Sequence, residues 1–420
     1  MKRIAISLLL AASALLLSSC IAYRAVCYGS PGIDDYRAFP QDTIRRGGHA
    51  FTFAETPHEE RMFDTLRTVM AYGEMRTISD ALAAEKKLSC GVLLIRNDSI
   101  IFEHYQGKIG RSDVSTVFSI SKSLTALLCG IAVDEGFIRS VHDPVTEYIP
   151  ELRDADPRFA RLTVEHLLDM RAGLKFKENY SFNPFSGMAR LHYGRNMLRQ
   201  MQHLKFKEEP GTSFEYSSMV TAILGIVIER ATGRTYADYM SEKVWRPLGM
   251  ENDAMMSVNA VRIRHPHAYG GISTTARDLA KVGRLYMNRG DFDGRRIVDS
   301  AWVDTTFSVK RAHANSGSKV RGYSYSWWRD MRKVFKEDGT MWFENEEAAM
   351  RYCKESGIEN VTFARQQGAD KCCVYRREGM FNMVGMLGQT VYVDPSRNVI
   401  LVILTNRDLQ RLAENIFDRL

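Results

Sequence analysis

The sequence lacks the short signatures of several common enzyme classes. No serine lies in a Gly-x-Ser-x-Gly segment, so the main sequence signal of an α/β-hydrolase triad is missing. The segment that begins at His58 reads His-Glu-Glu-Arg-Met and does not complete the His-Glu-x-x-His pattern of zinc proteases. His265 and His267 form an isolated pair, which is more typical of a surface than of a metal site. With no phosphate-cradling glycine loop either, the sequence predicts neither a metal nor a cofactor.

Long basic runs interleaved with aromatic residues are also missing. The chain has 57 Lys and Arg against 50 Asp and Glu, a net charge of +7, and this mild surplus is typical of a solvated basic surface. Nucleic acid is therefore not an expected partner. Internal repeats and low-complexity segments are absent as well. The 420 residues, 45% of them hydrophobic, are enough for a large core in one large domain or two intertwined ones.

The N-terminus has the pattern of a targeting segment. Lys2 and Arg3 precede an apolar run that ends at Leu17, and the run is too short to span a bilayer as a mature helix. It leads into Leu-Ser-Ser-Cys, ending at Cys20, which resembles a bacterial lipobox; an ordinary secretory signal is the alternative. We expect residues 1–20 to be a lipoprotein signal peptide and lipobox, with lipid on Cys20. The expected location is the bacterial cell envelope, lipid-anchored and facing the periplasm.

Hydrophobic periodicity divides the rest of the chain. Residues 21–80 are turn-rich and charged and are interpreted as an N-terminal arm, and residues 81–420 as the main domain. Strand patterns occur near 91–102 and return at 323–328 and 390–404, whereas helical patterns dominate from about 140 to 290. This order predicts an α+β fold: an antiparallel sheet flanked by helices, with a mostly helical region inserted between its strands.

The most informative motif is a serine and a lysine three residues apart at the start of a helix. Apolar residues recur from Ile120 to Ile131 at the spacing of a buried helical face, so Ser119 and Lys122 are expected to share one side of the helix. Apolar surroundings and the positive helix N-terminus lower the pKa of a lysine. A neutral Lys122 can then accept the proton of Ser119, so the serine is activated as a nucleophile without a histidine base.

A second Ser-x-x-Lys match begins at Ser316 and ends at Lys319. Residues 310–319 show no apolar period that would hold a helix, so we interpret them as a mobile basic loop. Only the first match has the expected context.

The Ser119 helix resembles the nucleophile helix of the serine β-lactamases and penicillin-binding proteins. Further segments resemble the class C-like branch, which includes esterases, D-aminopeptidases and 6-aminohexanoate dimer hydrolases. The resemblance extends from about Lys87 to Asn406. The segments that match the family pattern are, in chain order, Leu162–Met170, Phe214–Ser218, Pro247–Met250, Gly270–Ala280 and Gly385–Gln389. It implies the β-lactamase/transpeptidase-like form of the α+β fold.

The resemblance also implies roles for individual residues. Ser119 is the expected nucleophile, Lys122 its base and Tyr216 the proton relay, and the backbone N–H groups of Ser119 and Met386 are the expected oxyanion hole. Residues expected to contact substrate are Ser218, Trp327, Gly385, Gly388 and Gln389.

Three departures from the family pattern refine this expectation. Ser218 stands where penicillin-binding proteins and β-lactamases usually carry asparagine, and Met383-Val384-Gly385 replaces the Lys-Thr-Gly strand whose cation holds a substrate carboxylate. Residues 329–377 form an insertion, interpreted either as a lid or specificity element or as a surface decoration. The first two changes match the esterase and 6-aminohexanoate hydrolase branch better.

The expected protein is an exported serine hydrolase that cleaves esters or amides through an acyl-enzyme. Its expected partners are a small ester, amide or peptide substrate and the membrane, through the N-terminal lipid. Two alternatives remain open at this stage: a covalent binder or sensor of peptidoglycan or a β-lactam with little turnover, and a D,D-peptidase or β-lactamase.

Overall fold

The chain folds into two compact units. The computed structural model describes residues 21–29, 31–56, 67–69, 75–179, 183, 185–317, 321–330, 332–334, 336, 340–359, 361–365, 370–376, 380–417 and 420. The predicted signal peptide and lipobox, residues 1–20, lie outside these residues. The first unit comprises the described residues of Met1–Gly48, Val114–Arg246 and Asn252–Thr274, and the second those of His49–Asp113, Pro247–Glu251 and Thr275–Leu420.

The first unit combines a small antiparallel sheet with most of the helices. The strands run in the order Gln41–Ile44, Ala254–Ser257, Ile272–Thr274 and Ser115–Thr116. Its α-helices are Ile21–Tyr28, Ile120–Asp134, Val164–Leu168, Gly187–Tyr193, Met197–Met201, Ser218–Thr232 and Tyr236–Met240, the last continued by a π-turn over Ser241–Trp245. Short 3-10 turns occupy Asp35–Ala38, Val145–Glu147, Pro150–Leu152 and Pro157–Arg161.

Two long apolar helices form the centre of this unit. The serine helix, Ile120–Asp134, buries every residue from Ile120 to Ala132 and packs against Ser218–Thr232. Helices that are apolar on nearly all sides are stable only when surrounded by protein, which explains this central position. The second helix ends at Gly233, whose φ of 66° is the left-handed cap that glycine adopts without strain. This helix lies in the region, about 140 to 290, where the sequence pattern predicts mostly helices.

The second unit is built on an eight-stranded sheet. In spatial order the strands are Arg321–Ser324, Trp327–Asp330, Phe381–Val384, Thr390–Asp394, Val399–Thr405, Cys90–Arg96, Ser99–Gln106 and Ala54–Glu55. All neighbouring pairs are antiparallel except the last, which is parallel. The C-terminal strand pairs with the early one along seven residues, from Val399 opposite Arg96 to Thr405 opposite Cys90. This pairing confirms the predicted sheet that the C-terminus completes.

Helices and two small hairpins complete the second unit. The helices are Ile78–Ala83, Ala276–Met287, Ser300–Thr306, Val309–Ser316, Glu346–Glu355 and Gln410–Phe417. The hairpins pair Arg67–Val69 with Met75–Thr77 and Asp291–Phe292 with Arg295–Arg296. The terminal helix packs Leu412 and Ile416 into the core over the early strands, beside Val92 and Leu401. No helix in the described ranges is long and apolar enough to cross a membrane.

The aromatic run at 323–328 is a hairpin and not one strand. Tyr325 and Ser326 have φ angles of 43° and 62°, and two consecutive left-handed residues reverse the chain in the manner of a type I′ turn. The sequence pattern hid the turn because neither residue is glycine or asparagine. Trp327 follows the turn and is 1% exposed, with its ring 4.4 Å from that of Tyr286.

The insertion predicted over 329–377 has its own small core in its described residues. Cys372–Arg376 pairs with Arg332–Lys333, Trp342–Phe343 and Val361–Arg365. The helix Glu346–Glu355 begins at Asn345, whose side chain accepts a hydrogen bond from Ala348 N. The core residues are Val334, Phe343, Ala349, Cys353, Cys372 and Val374. The role of the insertion as a lid or specificity element stays a prediction.

The loop predicted over 310–319 is wrong where it is described, because Val309–Ser316 is a helix. Ala312 is buried, the helix packs against the Arg321–Ser324 strand, and Ser316 Oγ donates to the Arg321 carbonyl at 2.7 Å. Packing against the hairpin stabilises a helix that its own apolar pattern does not predict. Lys319 lies outside the described residues.

The predicted N-terminal arm, 21–80, contributes to both units where it is described. Helix Ile21–Tyr28 buries Ala25 against Phe39, Ala189 and Tyr193 in the first unit. Ala54–Glu55 is an edge strand of the second unit. The six cysteines of the described residues carry free thiols, with Cys27 exposed on this first helix.

Candidate active site

A strained turn presents Ser119 at the start of its helix. Phe118 has a φ of 47°, in the left-handed region that costs energy for a side chain of this size. The turn is held on both sides: Val117 N donates to Ile272 O at 3.0 Å, and Lys122 N donates to Ser119 O at 3.0 Å. Ser119 is half-buried, whereas Ile120 and the residues that follow are buried. Ser119 is therefore the partly accessible residue at the start of a helix whose residues from Ile120 to Ala132 are buried.

Lys122 is enclosed and makes three hydrogen bonds. The residue is 1% exposed, and its Nζ lies 2.9 Å from Ser119 Oγ, 3.1 Å from Ser218 Oγ and 2.7 Å from the carbonyl oxygen of Tyr269. An ammonium group has three N–H donors and no acceptor. The three oxygens therefore satisfy a protonated Lys122 completely.

Burial makes Lys122 a usable base. It lowers the pKa of the amine from 10.5 to about 8, and the negative charge of Glu178 works in the opposite direction. A substantial fraction of the lysine is then neutral at mildly alkaline pH. The electrostatics therefore agree with the role that the sequence predicts for this residue.

The structure brings two further predicted residues to the same place. The ring centre of Tyr216 lies 5.0 Å from Lys122 Nζ, and the chain then enters the helix that begins at Ser218. Ser218 is buried, and its hydroxyl contacts Lys122 directly. This contact places Ser218 beside the base, whereas the sequence predicts a substrate contact.

Glu178 is a site residue that the sequence pattern does not reveal. Ser218 Oγ donates to Glu178 Oε1 at 2.5 Å, and Ser218 N donates to Glu178 Oε2 at 2.9 Å. The side chain of Ser217, at the capping position, makes no capping hydrogen bond, so the carboxylate satisfies a helix N-terminus from 40 residues away. No local motif marks Glu178, because it lies in an irregular segment and acts only through the tertiary fold.

Tyr269 contributes its backbone as well as its ring. The segment that carries it is tied to the serine helix by two hydrogen bonds: Ile272 N donates to Ser121 Oγ at 3.1 Å, and Thr125 Oγ1 donates to Ala268 O at 2.9 Å. These bonds fix the Tyr269 carbonyl, which accepts a hydrogen bond from Lys122. Burial raises the pKa of the Tyr269 phenol well above 10, so the ring stays neutral.

His267, predicted to be at the surface, is 1% exposed. Its ring stacks on Tyr269 with centroids 5.4 Å apart, and burial lowers the pKa of the imidazole well below 6.5. A neutral ring packed on an aromatic side chain behaves as core, which the His-Pro-His pattern conceals. Groups of three or more metal-binding side chains do not occur among the residues that the structure describes.

The remaining predicted residues lie in the second unit. Gln389 is fully buried, and its amide exchanges hydrogen bonds with the backbone N–H and carbonyl of Thr405, so it ties the residue before one strand to the end of another. Trp327 is likewise enclosed by neighbouring aromatic rings. Met386 opens a short 3-10 turn between Gly385 and Gly388. The oxyanion role of Met386 and the substrate contacts of the two glycines stay predictions.

Comparisons with known proteins identify the family to which this chain belongs. Residues 75–418 match the family model described as Beta-lactamase. A 6-aminohexanoate-dimer hydrolase of Paenarthrobacter ureafaciens is 29% identical over 331 residues, which cover 73% of this chain and 81% of that protein. Esterase EstB of Burkholderia gladioli is 26% identical over 213 residues, covering 46% of this chain and 54% of the esterase.

Solved structures show the same fold. A putative 6-aminohexanoate-dimer hydrolase from Bacillus anthracis superposes with a TM-score of 0.67 at 19% identity, covering 90% of this chain and 89% of that one. A class C beta-lactamase in complex with cefoxitin superposes with a TM-score of 0.54 at 16% identity, covering 81% and 96%. The fold is therefore the β-lactamase/transpeptidase-like fold predicted from the sequence. The match over residues 75–418 and the serine–lysine site together establish that the chain is a serine hydrolase of the beta-lactamase family.

Proposed function

We propose that this protein hydrolyses small ester or amide substrates through an acyl-enzyme on Ser119. The observation that carries the proposal is the 2.9 Å hydrogen bond between Ser119 Oγ and a buried Lys122 whose pKa is lowered to about 8. A nucleophilic hydroxyl needs a base within hydrogen-bonding reach, and this pair supplies both groups.

The proposed reaction has two stages. Ser119 Oγ attacks the substrate carbonyl carbon while its proton passes to Lys122 Nζ. The tetrahedral intermediate collapses, the bond to the leaving oxygen or nitrogen breaks, and that atom takes the proton from Lys122 through the Tyr216 hydroxyl. A water molecule then cleaves the acyl ester, releases the acid and restores the serine. The backbone N–H groups of Ser119 and Met386 are the proposed donors to the oxyanion.

The proposed substrates carry an uncharged acyl group. In this chain the position of the family asparagine is Ser218, whose hydroxyl is engaged by Lys122 and Glu178. The strand residues Met383-Val384-Gly385 bring no cation for a substrate carboxylate. The relatives named as a 6-aminohexanoate-dimer hydrolase and an esterase support the same proposed substrate class.

Steady-state turnover of p-nitrophenyl acetate is expected to exceed that of nitrocefin in kcat/KM on one preparation. A missing charge-assisted hydrogen bond costs about 1.5–3 kcal/mol, or roughly one to two decades in rate when it acts in the transition state. A higher kcat/KM for nitrocefin would contradict the proposed substrate class. A single burst of product without steady turnover would instead identify a covalent binder.

We also propose that the protein is exported and held at the bacterial cell envelope by lipid on Cys20, facing the periplasm. The lipobox-like Leu-Ser-Ser-Cys supports this, together with the apolar run before it. The first helix of the described chain begins at Ile21, directly after Cys20, and packs on the first unit. A lipid on Cys20 would therefore hold this unit close to the bilayer.

Metabolic labelling with a fatty-acid analogue is expected to tag the wild-type protein and not Cys20→Ala, because the thiol of residue 20 is the proposed attachment point. Cys27→Ala is the matched control, since Cys27 is an exposed cysteine seven positions further on and its loss should leave the label unchanged. A mature N-terminus other than residue 20 in mass spectrometry would contradict the proposal.

A further inference from the structure

The hydrogen bonds around Lys122 have a direction that depends on its protonation. The ammonium form donates to Ser119 Oγ, Ser218 Oγ and Tyr269 O. The neutral amine keeps two N–H groups and gains a lone pair, so one of the three partners must then donate to nitrogen. Catalysis requires that this partner is Ser119, because the proton to be removed is the one on Ser119 Oγ.

Two of the three partners are unable to donate. The Tyr269 carbonyl has no proton. The Ser218 hydroxyl has one, but it is directed to Glu178 Oε1 at 2.5 Å, and an ionised carboxylate only accepts. Ser218 is therefore left as an acceptor for Lys122, and Ser119 is the one partner that is free to donate into the lone pair.

We propose that Glu178 is a positioning residue for the base: by holding the proton of Ser218, it turns the lone pair of neutral Lys122 towards Ser119. This inference rests on the proposed function, since it assigns a role in the Ser119–Lys122 proton transfer. The hydrogen-bonding effect of Glu178 reaches Lys122 through the hydroxyl of Ser218.

A purely structural role is the competing explanation, because the same carboxylate satisfies the N-terminus of the Ser218–Thr232 helix. The two roles respond differently to Glu178→Gln. The amide oxygen can still accept from Ser218 N, whereas the amide NH₂ can donate to Ser218 Oγ and free the serine proton to compete for Lys122. The substitution thus preserves much of the hydrogen bonding at the N-terminus of the Ser218–Thr232 helix, but it no longer fixes the direction in which the Ser218 hydroxyl donates.

The charge of Glu178 provides a second signature. In the described residues Lys122 faces three titratable groups on separate segments: Glu178, the ring of Tyr216 and the ring of Tyr269. Tyr269 stays neutral, and Glu178 stabilises the ammonium form. Removal of that negative charge lowers the pKa of Lys122, so the midpoint of the pH–rate profile is expected to move to lower pH.

The test measures the second-order rate of fluorophosphonate labelling between about pH 6 and pH 9. Glu178→Gln is expected to reduce the plateau rate about tenfold and to shift the midpoint to the acid side by about one unit. Glu178→Asp keeps the charge and is expected to keep the wild-type midpoint. Glu215→Gln is the matched control, because Glu215 adjoins Tyr216 in the chain but pairs with Lys207 at 2.7 Å. It should change neither quantity.

A double-mutant cycle with Ser218→Ala tests whether Glu178 acts on Lys122 through the Ser218 hydroxyl. If Glu178 directs the lone pair through Ser218, Glu178→Gln changes the plateau labelling rate by less than about twofold in the Ser218→Ala background, whereas the midpoint shift, which comes from the lost charge, remains. An equal loss in both backgrounds would overturn the proposal. So would a Glu178→Gln variant that melts earlier but keeps the wild-type plateau and midpoint, since that describes a helix cap alone. Failure of the proposed function is a separate result, seen as undiminished labelling of Ser119→Ala.

Discussion

Ser119→Ala is expected to abolish fluorophosphonate labelling and to reduce ester turnover by about 10⁴-fold or more, the scale on which a nucleophilic serine contributes. The physical reason is that this hydroxyl belongs to a half-buried residue at the start of a buried helix and lies 2.9 Å from the Lys122 amine. Labelling is measured by intact-protein mass spectrometry, and turnover with a chromogenic ester.

Ser316→Ala is the control, because Ser316 opens the second Ser-x-x-Lys match in the chain. Its hydroxyl donates to the Arg321 carbonyl at 2.7 Å and so joins the helix end to the neighbouring strand, and the substitution should leave labelling at one equivalent. Stoichiometric labelling of Ser119→Ala would refute the assignment of the nucleophile. Loss of labelling in Ser316→Ala would do the same.

The helices that carry these two serines show which elements can be predicted from the sequence and which cannot. The serine helix is predictable because its apolar period is local and its burial is nearly complete. The helix at Val309–Ser316 has no such period, and it forms because Ala312 is buried and the helix packs against a neighbouring strand. Local patterns identify elements that would form in many contexts, whereas elements stabilised by one particular neighbour are visible only in the fold.

The same distinction applies within the site. Ser119 and Lys122 are separated by one helical turn, so their spacing predicts their contact. Glu178 lies in an irregular segment and meets Ser218 from 40 residues away in the chain, and Tyr269 contributes a backbone carbonyl that any residue type could provide. Neither contact can be predicted from the residue types or their spacing in the sequence.

Two buried lysines differ in their partners: Lys122 has those of a base, whereas Lys281 belongs to a structural ion pair. Lys281 is completely buried in the second unit, with carboxylate oxygens of Asp278 and Glu251 at 3.3 and 3.2 Å. Lys122 is equally enclosed, but its direct partners are two hydroxyl groups and a carbonyl. Paired charges stabilise the ammonium form, whereas neutral oxygens in a dry site allow the amine to lose its proton.

Lys122→Met and Tyr216→Phe are each expected to lower kcat/KM by at least about 10²-fold, the scale of lost acid–base catalysis. Thermal stability should not fall in Lys122→Met, because the substitution removes a buried cation and keeps an unbranched chain of similar length. Tyr216→Phe keeps the ring that lies 5.0 Å from Lys122 Nζ and removes only the hydroxyl. Tyr148→Phe is the matched control, since its hydroxyl donates to Asp143 at 2.6 Å and should not affect activity.

The pH profile of the wild type tests the same assignment without mutation. The base is the neutral amine, so kcat/KM is expected to rise about tenfold per pH unit below the pKa of Lys122, about 8, and to level off above it. Lys122→Arg sharpens the test because a guanidinium stays protonated throughout this range and cannot serve as the base. Near-normal activity in Lys122→Arg, or a wild-type profile flat through pH 8, would show that Lys122 only packs beside the nucleophile.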